Sequence, residues 1–274
     1  MSIVLVGTPI GNLGDLSARA VEVLRAADVI ACEDTRRVRA LLSHLAIPAG
    51  RRLVTVNEHN EAAQAARLVE RAAAGETVAV VTDAGMPGIS DPGERLVAAA
   101  VAARVAVEVV PGPSAAVAAL VVSGLSTARF CFEGFLPRKG RARALRFAAL
   151  AAESRTTVLF EAPHRVCETV ADLAASCGGE RRVAIVRELT KLHEEVWRGQ
   201  LAAAVDHVGR TEPRGEYALV IEGAPPAPPP AEADIDAALR VLLAAGADKR
   251  TAVARVAAQL AVPKRQVYEA ALKL

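Results

Sequence analysis

The chain has 274 residues, of which 52% are hydrophobic and 23% charged, and its formal net charge is +2. A chain of this length and apolar content can bury a substantial core, which excludes disorder over its whole length. The small net charge excludes a protein coated with positive charge, so any surface for nucleic acid must be regional.

The first half of the chain alternates short apolar runs with segments of helical period. Ser17 and Asn60 mark two helix starts. The predicted strands are 3–6, 28–32, 53–56, 77–82 and 107–110. This order is typical of βαβ units around a mostly parallel sheet, and it predicts an N-terminal α/β domain over residues 1–124.

A second group of strands follows, with helices near 141–152 and 165–176. Short loops join several of these strands, which favours a mixed sheet. The predicted strands are 130–135, 156–160, 183–187, 195–198 and 217–222. We predict a second α/β domain over residues 125–223.

The rest of the chain begins with a proline-rich segment that can continue neither a helix nor a strand ladder. Residues 224–233 are therefore predicted to form a stiff, extended linker. Residues 234–274 have helical period with two breaks, which predicts three short helices, the last two (251–260 and 264–272) arranged as in a helix-turn-helix. Packing, or stabilisation of a dimer, competes evenly with RNA contact as the role of this module.

Cysteine usage and the N-terminus favour a cytoplasmic protein. The four cysteines fall at no metal-ligand spacing, and we predict neither a metal nor a disulfide framework. The N-terminal residues lack the basic region and the length of a secretion signal. The longest apolar stretch, 96–107, is interrupted by Arg104 and is too short to span a membrane.

Three loops rich in glycine and proline follow predicted strands. Residues 7–14 (Gly-Thr-Pro-Ile-Gly-Asn-Leu-Gly) come after the first strand, but taken alone they are more often a tight turn. Residues 83–93 (Asp-Ala-Gly-Met-Pro-Gly-Ile-Ser-Asp-Pro-Gly) form a shaped loop at the carboxyl edge of a parallel sheet, where ligands of α/β folds bind. Residues 111–115 open a helix with small side chains, which lets a ligand approach the backbone.

With two later motifs, these loops make a set that resembles the tetrapyrrole-methylase-like (class III) methyltransferases. The later motifs are Phe-Glu-Ala-Pro-His-Arg at 160–165 and Arg-Glu-Leu-Thr-Lys-Leu-His-Glu-Glu at 187–195, and the resemblance runs from about Ile3 to Gly223. It implies a two-domain α/β enzyme, usually a homodimer, that binds S-adenosylmethionine in the cleft between its domains. The motifs are most similar to those of members that methylate the ribose 2′-hydroxyl of a cytidine near the decoding centre of 16S rRNA. The resemblance therefore implies the small ribosomal subunit as the partner.

The resemblance also implies the residues that line the cofactor site. From the first domain these are Pro9, Asp83, Ala84, Gly85, Ile89, Ser114 and Ala115, and from the second Glu161, Leu189, Thr190 and Ala218. Two departures from the family pattern are Met86, where threonine is commoner, and residues 136–140, which leave the RNA contacts open. Asp83 could instead brace its own loop, but its place at a strand end favours a cofactor role.

Because a ribose hydroxyl is a weak nucleophile, we expect a group that accepts its proton. The candidates are Glu161, His164, Glu188 and Lys191. His164 could equally cap the helix that starts beside it. For Glu188, an ordinary ion pair with its basic neighbours is the favoured alternative.

A cluster of cations without an acid between Leu136 and Phe147 predicts a surface for RNA. Its members are Arg138, Lys139, Arg141, Arg143 and Arg146. The predicted substrate contacts are Arg138, Lys139 and Arg141, with Arg165 from the later motif. A solubilising helix face is the alternative. Two interpretations, substrate contacts or a solvated helix face, are open for a second charged group, and the solvated face is favoured: Glu33, Asp34, Arg36, Arg37 and Arg39. Phe130 and Phe132 are predicted to be core, whereas Phe135 could stack on a base.

Two other functions remain open from the residues alone. The same fold supports methylation of a tetrapyrrole ring. A protein that binds the cofactor and RNA without turnover is the alternative that is not an enzyme. The basic loop and the terminal helices favour RNA as the substrate.

Overall fold

The computed structural model describes residues 2–57, 59–210, 212–226, 232–260 and 262–274. The chain forms two compact units, Met1–Ala224 and Pro225–Leu274. The division of the first unit into domains 1–124 and 125–223 stays a prediction. Half of the predicted linker cannot be compared with the structure, because residues 227–231 lie outside the described part.

The first sheet of the larger unit has five parallel strands in the order β3-β2-β4-β1-β5. The strands are β1 (Ser2–Val6), β2 (Val29–Cys32), β3 (Leu53–Thr55), β4 (Val78–Val80) and β5 (Ala106–Val110). Apolar clusters cover both faces of this sheet, so its central strands are buried runs of Val, Ile and Ala. The predicted parallel sheet is confirmed.

The helices between these strands begin largely where the sequence predicts. They are α1 (Ala18–Ala26), α2 (Thr35–His44), α3 (Glu61–Ala73), α4 (Glu94–Ala102) and α5 (Ala115–Ser123). Ser17 caps α1, since its hydroxyl accepts a hydrogen bond from the Ala20 amide at 3.1 Å. Asn60 precedes α3 but does not cap it. Its side-chain oxygen accepts from the Asn57 amide at 2.8 Å and stabilises the preceding turn instead.

The strand order explains why the three glycine-rich loops come together. β1 lies between β4 and β5, and all three strands run in the same direction. Their carboxyl ends, and hence the loops that follow them, therefore lie side by side at one edge of the sheet. β2 is the next strand beyond β4, so the start of α2 lies at the same edge.

The second sheet of this unit is mixed, with strand order β6-β7-β10-β8-β9. Its strands are β6 (Phe130–Phe135), β7 (Thr156–Glu161), β8 (Arg182–Arg187), β9 (Glu195–Gln200) and β10 (Tyr217–Ile221). Within the described part of this second sheet, β6–β7 is the only parallel pair, and the other pairs are antiparallel. The helices α6 (Gly140–Ala152), α7 (Pro163–Cys177) and α8 (Leu201–Gly209) pack around this sheet; the sequence did not predict α8.

A bulge in β6 sets the direction of its aromatic side chains. The register shifts between Phe132 and Gly134, where Gly134 has φ +60°. Phe132 and Phe135 consequently both contact Phe160 on β7, with ring centroids 4.9 and 5.8 Å apart. Phe132 packs against the core as predicted, but the core prediction for Phe130 is wrong, because this residue is 40% exposed.

The smaller unit consists of three helices around its own apolar core, as predicted. They are α9 (Glu232–Ala244), α10 (Lys249–Gln259) and α11 (Lys264–Ala271). Asp248 caps α10 through a 3.0 Å hydrogen bond from the Thr251 amide. Among the described residues of the whole chain, no helix is long and apolar enough to cross a membrane. All four cysteines are free thiols.

Candidate functional site

The loops after β1, β4 and β5 are joined to one another by backbone contacts. Thr8 and Gly85 exchange amide-to-carbonyl hydrogen bonds of 2.9 and 3.1 Å, and the Gly7 amide donates to the Val110 carbonyl at 3.0 Å. A Cβ atom placed on Gly7 would lie only 2.6 Å from the Cα of Gly112, so the first and third loops pass in direct contact. Glycine is required at this crossing because no side chain fits.

A cavity of about 420 Å³ opens beside these loops and is also lined by one edge of the second sheet. At that edge β6, β7 and β8 end and β10 begins, so residues distant in sequence meet there. Nine of the eleven predicted cofactor residues line this cavity: Asp83, Ala84, Gly85, Ile89, Ser114, Ala115, Glu161, Leu189 and Ala218. We name it the first cavity. The contacts of these residues with a cofactor stay a prediction.

The other two predicted cofactor residues do not line the first cavity. Pro9 lines a neighbouring cavity instead. Thr190 has the left-handed φ of +65°, and its buried hydroxyl has no hydrogen-bond partner among the described residues. A Cβ on Gly11 would lie 2.7 Å from that hydroxyl, so the first loop is pressed against the loop after β8.

Several lining residues were not predicted as part of the site. The apolar ones include Ile10, Met86, Phe135, Phe160, Val186 and Tyr217, and the charged ones are Glu33, Arg37, Asp91 and Glu216. Six of these ten lie at the end of a strand or directly beside one: Glu33, Phe135, Phe160, Val186, Glu216 and Tyr217. Their position at the ligand-binding edge of a sheet is the sequence signal that would have found them.

The charged residues around the first cavity are mostly acidic. Five acidic residues, Glu33, Asp83, Asp91, Glu161 and Glu216, line it with one basic residue, Arg37, while Glu161 and Glu216 are also paired with Arg165 and Lys191 outside the lining. The Arg37 Nε lies 3.3 Å from Asp83 Oδ2. Combined with apolar walls, this excess of negative charge suits a ligand that carries a positive charge and a flat apolar group. Among the described residues, no three His, Cys, Asp or Glu side chains are grouped to hold a metal ion.

Asp91 is a carboxyl group of this cavity whose pKa is raised by its surroundings. Burial, followed by the negative charges of Glu33 and Asp83, raises its pKa from 3.8 to about 7. Below the unfolded-state pKa both states hold the proton. As the pH rises from about 4 to 7, only the unfolded state releases it, so the folded state loses stability across this window.

We expect Asp91→Asn to remove that loss. The variant should exceed the wild type in free energy of unfolding by about 1–2 kcal/mol at pH 8, after allowance for partial exposure, and the gain should shrink towards pH 4. Urea unfolding at both pH values measures this difference. Asp206→Asn on the exposed face of α8 is the control. An equal gain at both pH values would show that folding does not raise the pKa of Asp91.

Glu161, predicted both as a catalytic and as a cofactor residue, is fully engaged within the protein. Its side chain is completely buried, and Oε2 accepts a hydrogen bond from the Thr169 hydroxyl at 2.6 Å. Oε1 accepts from the Ala162 amide at 2.8 Å and lies 3.4 Å from Arg165 Nε. The carboxylate therefore fixes the start of α7 beneath the first cavity.

Glu188 and Lys191 form an ion-pair network and do not line the first cavity. Lys191 Nζ lies 2.8 Å from Glu188 Oε1 and 2.9 Å from Glu216 Oε2. Burial opposes charge on both groups, but the hydrogen bonds prevail, so the pKa of Glu188 is lowered and that of Lys191 is raised. A lysine held in its charged form is a poor proton acceptor at neutral pH, and the ion-pair interpretation of Glu188 is confirmed.

His164 and Arg165 both belong to the first turn of α7. The interpretation of His164 as a cap is wrong: Ala162 occupies the cap position, and His164 is exposed and does not line the first cavity. Arg165 is largely buried, since it pairs with Glu161 and donates to the Leu136 carbonyl at 2.9 Å. Its predicted contact with substrate stays a prediction, but these partners give it a structural role.

The predicted basic surface is smaller than the sequence suggested. Arg138, Lys139 and Arg141 are exposed around the start of α6. Arg143 is buried: it pairs with Asp172 at 2.6 Å, donates to the Pro137 carbonyl and stacks on Phe147. Arg146 is paired with Glu133 at 3.1 Å. Inclusion of Arg143 in an RNA surface was therefore wrong, because its guanidinium anchors the loop to α7.

Comparison with known proteins assigns the class of this fold and cavity. A family model described as Tetrapyrrole (Corrin/Porphyrin) Methylases matches residues 2–205, so the protein is a methyltransferase. The chain belongs to the tetrapyrrole methylase family, as its motifs predict.

Its relatives include a Synechocystis protein named "Ribosomal RNA small subunit methyltransferase I", 45% identical, with 98% of this chain and 97% of the relative covered. A Mycobacterium tuberculosis protein of the same name is 46% identical, with 99% and 94% covered. A solved uroporphyrin-III C-methyl transferase from Thermus thermophilus, described as complexed with S-adenyl homocysteine, has a TM-score of 0.57 at 22% identity, with 81% of this chain and 97% of that chain covered. The last likeness shows the fold.

Proposed function

We propose that this chain transfers a methyl group from S-adenosylmethionine to the ribose 2′-hydroxyl of a cytidine near the decoding centre of 16S rRNA. The observation that carries the proposal is the near-full-length similarity to two proteins named for the small ribosomal subunit. The exposed cations Arg138, Lys139 and Arg141 support an RNA substrate, because they lie near the cavity without an ion-pair partner among the described residues.

The first cavity fits the proposed donor in charge and shape. When bound, S-adenosylmethionine supplies a methyl group on a positively charged sulfur. The predominance of acidic residues in its lining suits that charge, and Ala84, Ala115 and Ala218 leave room for the ligand beside the backbone. The solved neighbour that is complexed with the demethylated form of the donor supports the same assignment.

The reaction requires alignment and a proton acceptor. The acceptor hydroxyl oxygen forms a bond to the methyl carbon while the carbon–sulfur bond breaks, its electron pair stays on sulfur, and the hydroxyl proton leaves to a base. The chain contributes by holding the reacting groups in line and by excluding water with residues such as Ile89 and Phe135. Glu161, His164, Glu188 and Lys191 remain the predicted proton acceptors, but cavity carboxylates such as Asp83 are better placed.

A transfer assay with methyl-labelled S-adenosylmethionine tests the proposal. We expect 30S particles to take up label and a tetrapyrrole to take up none, with naked 16S rRNA as a third substrate. Alkaline digestion locates the label, since a 2′-O-methyl group blocks cleavage of the adjacent phosphodiester. Asp83→Ala should reduce transfer strongly, because Asp83 lines the cavity and holds Arg37.

Tetrapyrrole methylation is the second candidate, and the description of the matching family favours it. Label on the tetrapyrrole alone would overturn the RNA assignment. Binding of the donor without transfer to any substrate would favour a protein that has no turnover.

We also propose that the chain acts as a homodimer in the cytoplasm. Light scattering of the purified protein measures its mass in solution and decides whether it is a dimer.

A further inference from the structure

A second cavity, of about 370 Å³, lies between the first loop and α2. Its walls are mostly apolar, and Leu13 among them is an apolar side chain that remains 48% exposed. The lining residues are Thr8, Pro9, Leu13, Arg37, Val38, Ala40, Leu41, His44, Thr82 and Asp83. This volume lies within the range of roughly 300–1,000 Å³ that is typical of small-molecule sites.

The two cavities meet at one ion pair. Arg37 and Asp83 are the only described residues that line both of them, and Arg37 Nε lies 3.3 Å from Asp83 Oδ2. Asp83 is held from the other side by the Asp34 amide, which donates to its Oδ1 at 3.2 Å. The two cavities therefore adjoin at this ion pair.

The two cavities differ in the charge around them. The first is lined by five carboxylates and one guanidinium, which repels an anionic polymer. The second is lined by one arginine, Arg37, by His44 and by one carboxylate, that of Asp83. Arg37 is 64% exposed at its side chain, and Arg39 and His44 are exposed on the same helix. Arg37 therefore places an exposed guanidinium at the second cavity, where it pairs with Asp83 through Nε and can also reach a phosphate.

We propose that the second cavity takes the acceptor nucleotide of the RNA, unstacked from its neighbours. This inference rests on the proposed function and adds the substrate site to it. The base lies against the apolar wall of Leu13, Val38 and Leu41, and Arg37 binds the adjoining phosphate. The ribose then lies at the Arg37–Asp83 boundary, where its hydroxyl faces the donor cavity and Asp83 is close enough to receive the proton.

The assignment separates substrate binding from donor binding, and substitutions in α2 test it. Arg37→Ala should raise the KM for 30S particles about tenfold, because one charge-assisted phosphate contact is lost. The affinity of the Arg37→Ala variant for S-adenosylmethionine, measured by calorimetry, should not fall. The substitution removes a positive charge from the first cavity, and the donor itself is positively charged. Arg36→Ala is the matched control: Arg36 is the neighbouring arginine, is 89% exposed, pairs with Asp34 and lines neither cavity.

A second pair of variants fills the cavity without a change of charge. Ala40 is an exposed residue of α2 that lines the second cavity, whereas Ser43 is exposed on the same helix and lines neither cavity. We expect Ala40→Trp to lose at least tenfold in kcat/KM for 30S particles with unchanged donor affinity, and Ser43→Trp to retain wild-type values.

The results separate this inference from the proposed function. If the wild type labels no ribosomal substrate, the proposed function fails. If the wild type labels 30S particles and Ala40→Trp and Arg37→Ala match their controls, the second cavity does not hold the nucleotide. Weaker donor binding in Ala40→Trp would also overturn the inference, because it would assign this cavity to the donor.

Discussion

Gly7→Ala should abolish measurable binding of S-adenosylmethionine and destabilise the protein by about 3 kcal/mol. The added Cβ would lie 2.6 Å from the Gly112 Cα and 2.7 Å from its amide nitrogen. Backbone atoms cannot turn away as a flexible side chain can, so β1 and β5 must separate at their carboxyl ends. The first and third loops would then move apart, and the proposed donor site lies beside them. Calorimetry and urea unfolding measure the two effects.

Two further variants show whether the close crossing is the cause. Gly112→Ala should behave like Gly7→Ala, because its Cβ would lie 2.8 Å from the Gly7 Cα. Gly209→Ala is the matched control, since a Cβ there meets nothing within 4 Å and the residue ends α8. If Gly7→Ala and Gly209→Ala gave the same stability and donor affinity, the two loops would not be in contact in solution.

Glu161→Ala should cost about 3–5 kcal/mol of folding free energy, because it removes one partner of a buried ion pair. The substitution leaves Arg165 without its carboxylate, the Thr169 hydroxyl without its acceptor and the Ala162 amide unsatisfied. Loss of these contacts frees the start of α7, which forms part of the first cavity. Urea unfolding measures the loss, and Glu168→Ala on the exposed face of α7 is the control.

Glu161→Gln separates a structural role from a catalytic one. The amide keeps one oxygen as an acceptor and can donate to the Thr169 hydroxyl, so we expect a loss of only about 1–2 kcal/mol. If Glu161 only supports α7, methyl transfer by Glu161→Gln should persist at a substantial fraction of the wild-type rate. A folded Glu161→Gln protein that binds the donor but transfers no methyl group would restore Glu161 as the proton acceptor.

The parts of the fold that the sequence predicted are those that depend on local pattern. Buried parallel strands produce continuous apolar runs, so β1 and β4 were predicted within a few residues. Ser17 marked the start of α1 because its hydroxyl meets a helix amide directly. The glycine-rich loops were recognised as candidates for a site because each follows such a strand.

The parts that were not predicted depend on contacts between distant segments. Arg143 belongs to a cationic run, and nothing local indicates that Asp172 and Phe147 bury it. Arg37 was taken for part of a solvated helix face, since only the position of β2 beside β4 brings it to Asp83. The direction of Phe135 depends on a bulge that no turn signal announces.

The place of β10 in the second sheet has a consequence for synthesis of the chain. β10 lies between β7 and β8 and pairs with both, although it is the last strand to be translated. Until residue 221 has left the ribosome, β7 and β8 each lack their central neighbour and present unpaired edges. We expect nascent or truncated chains that end before Tyr217 to aggregate or to require a chaperone, whereas the first sheet can assemble as soon as β5 is complete.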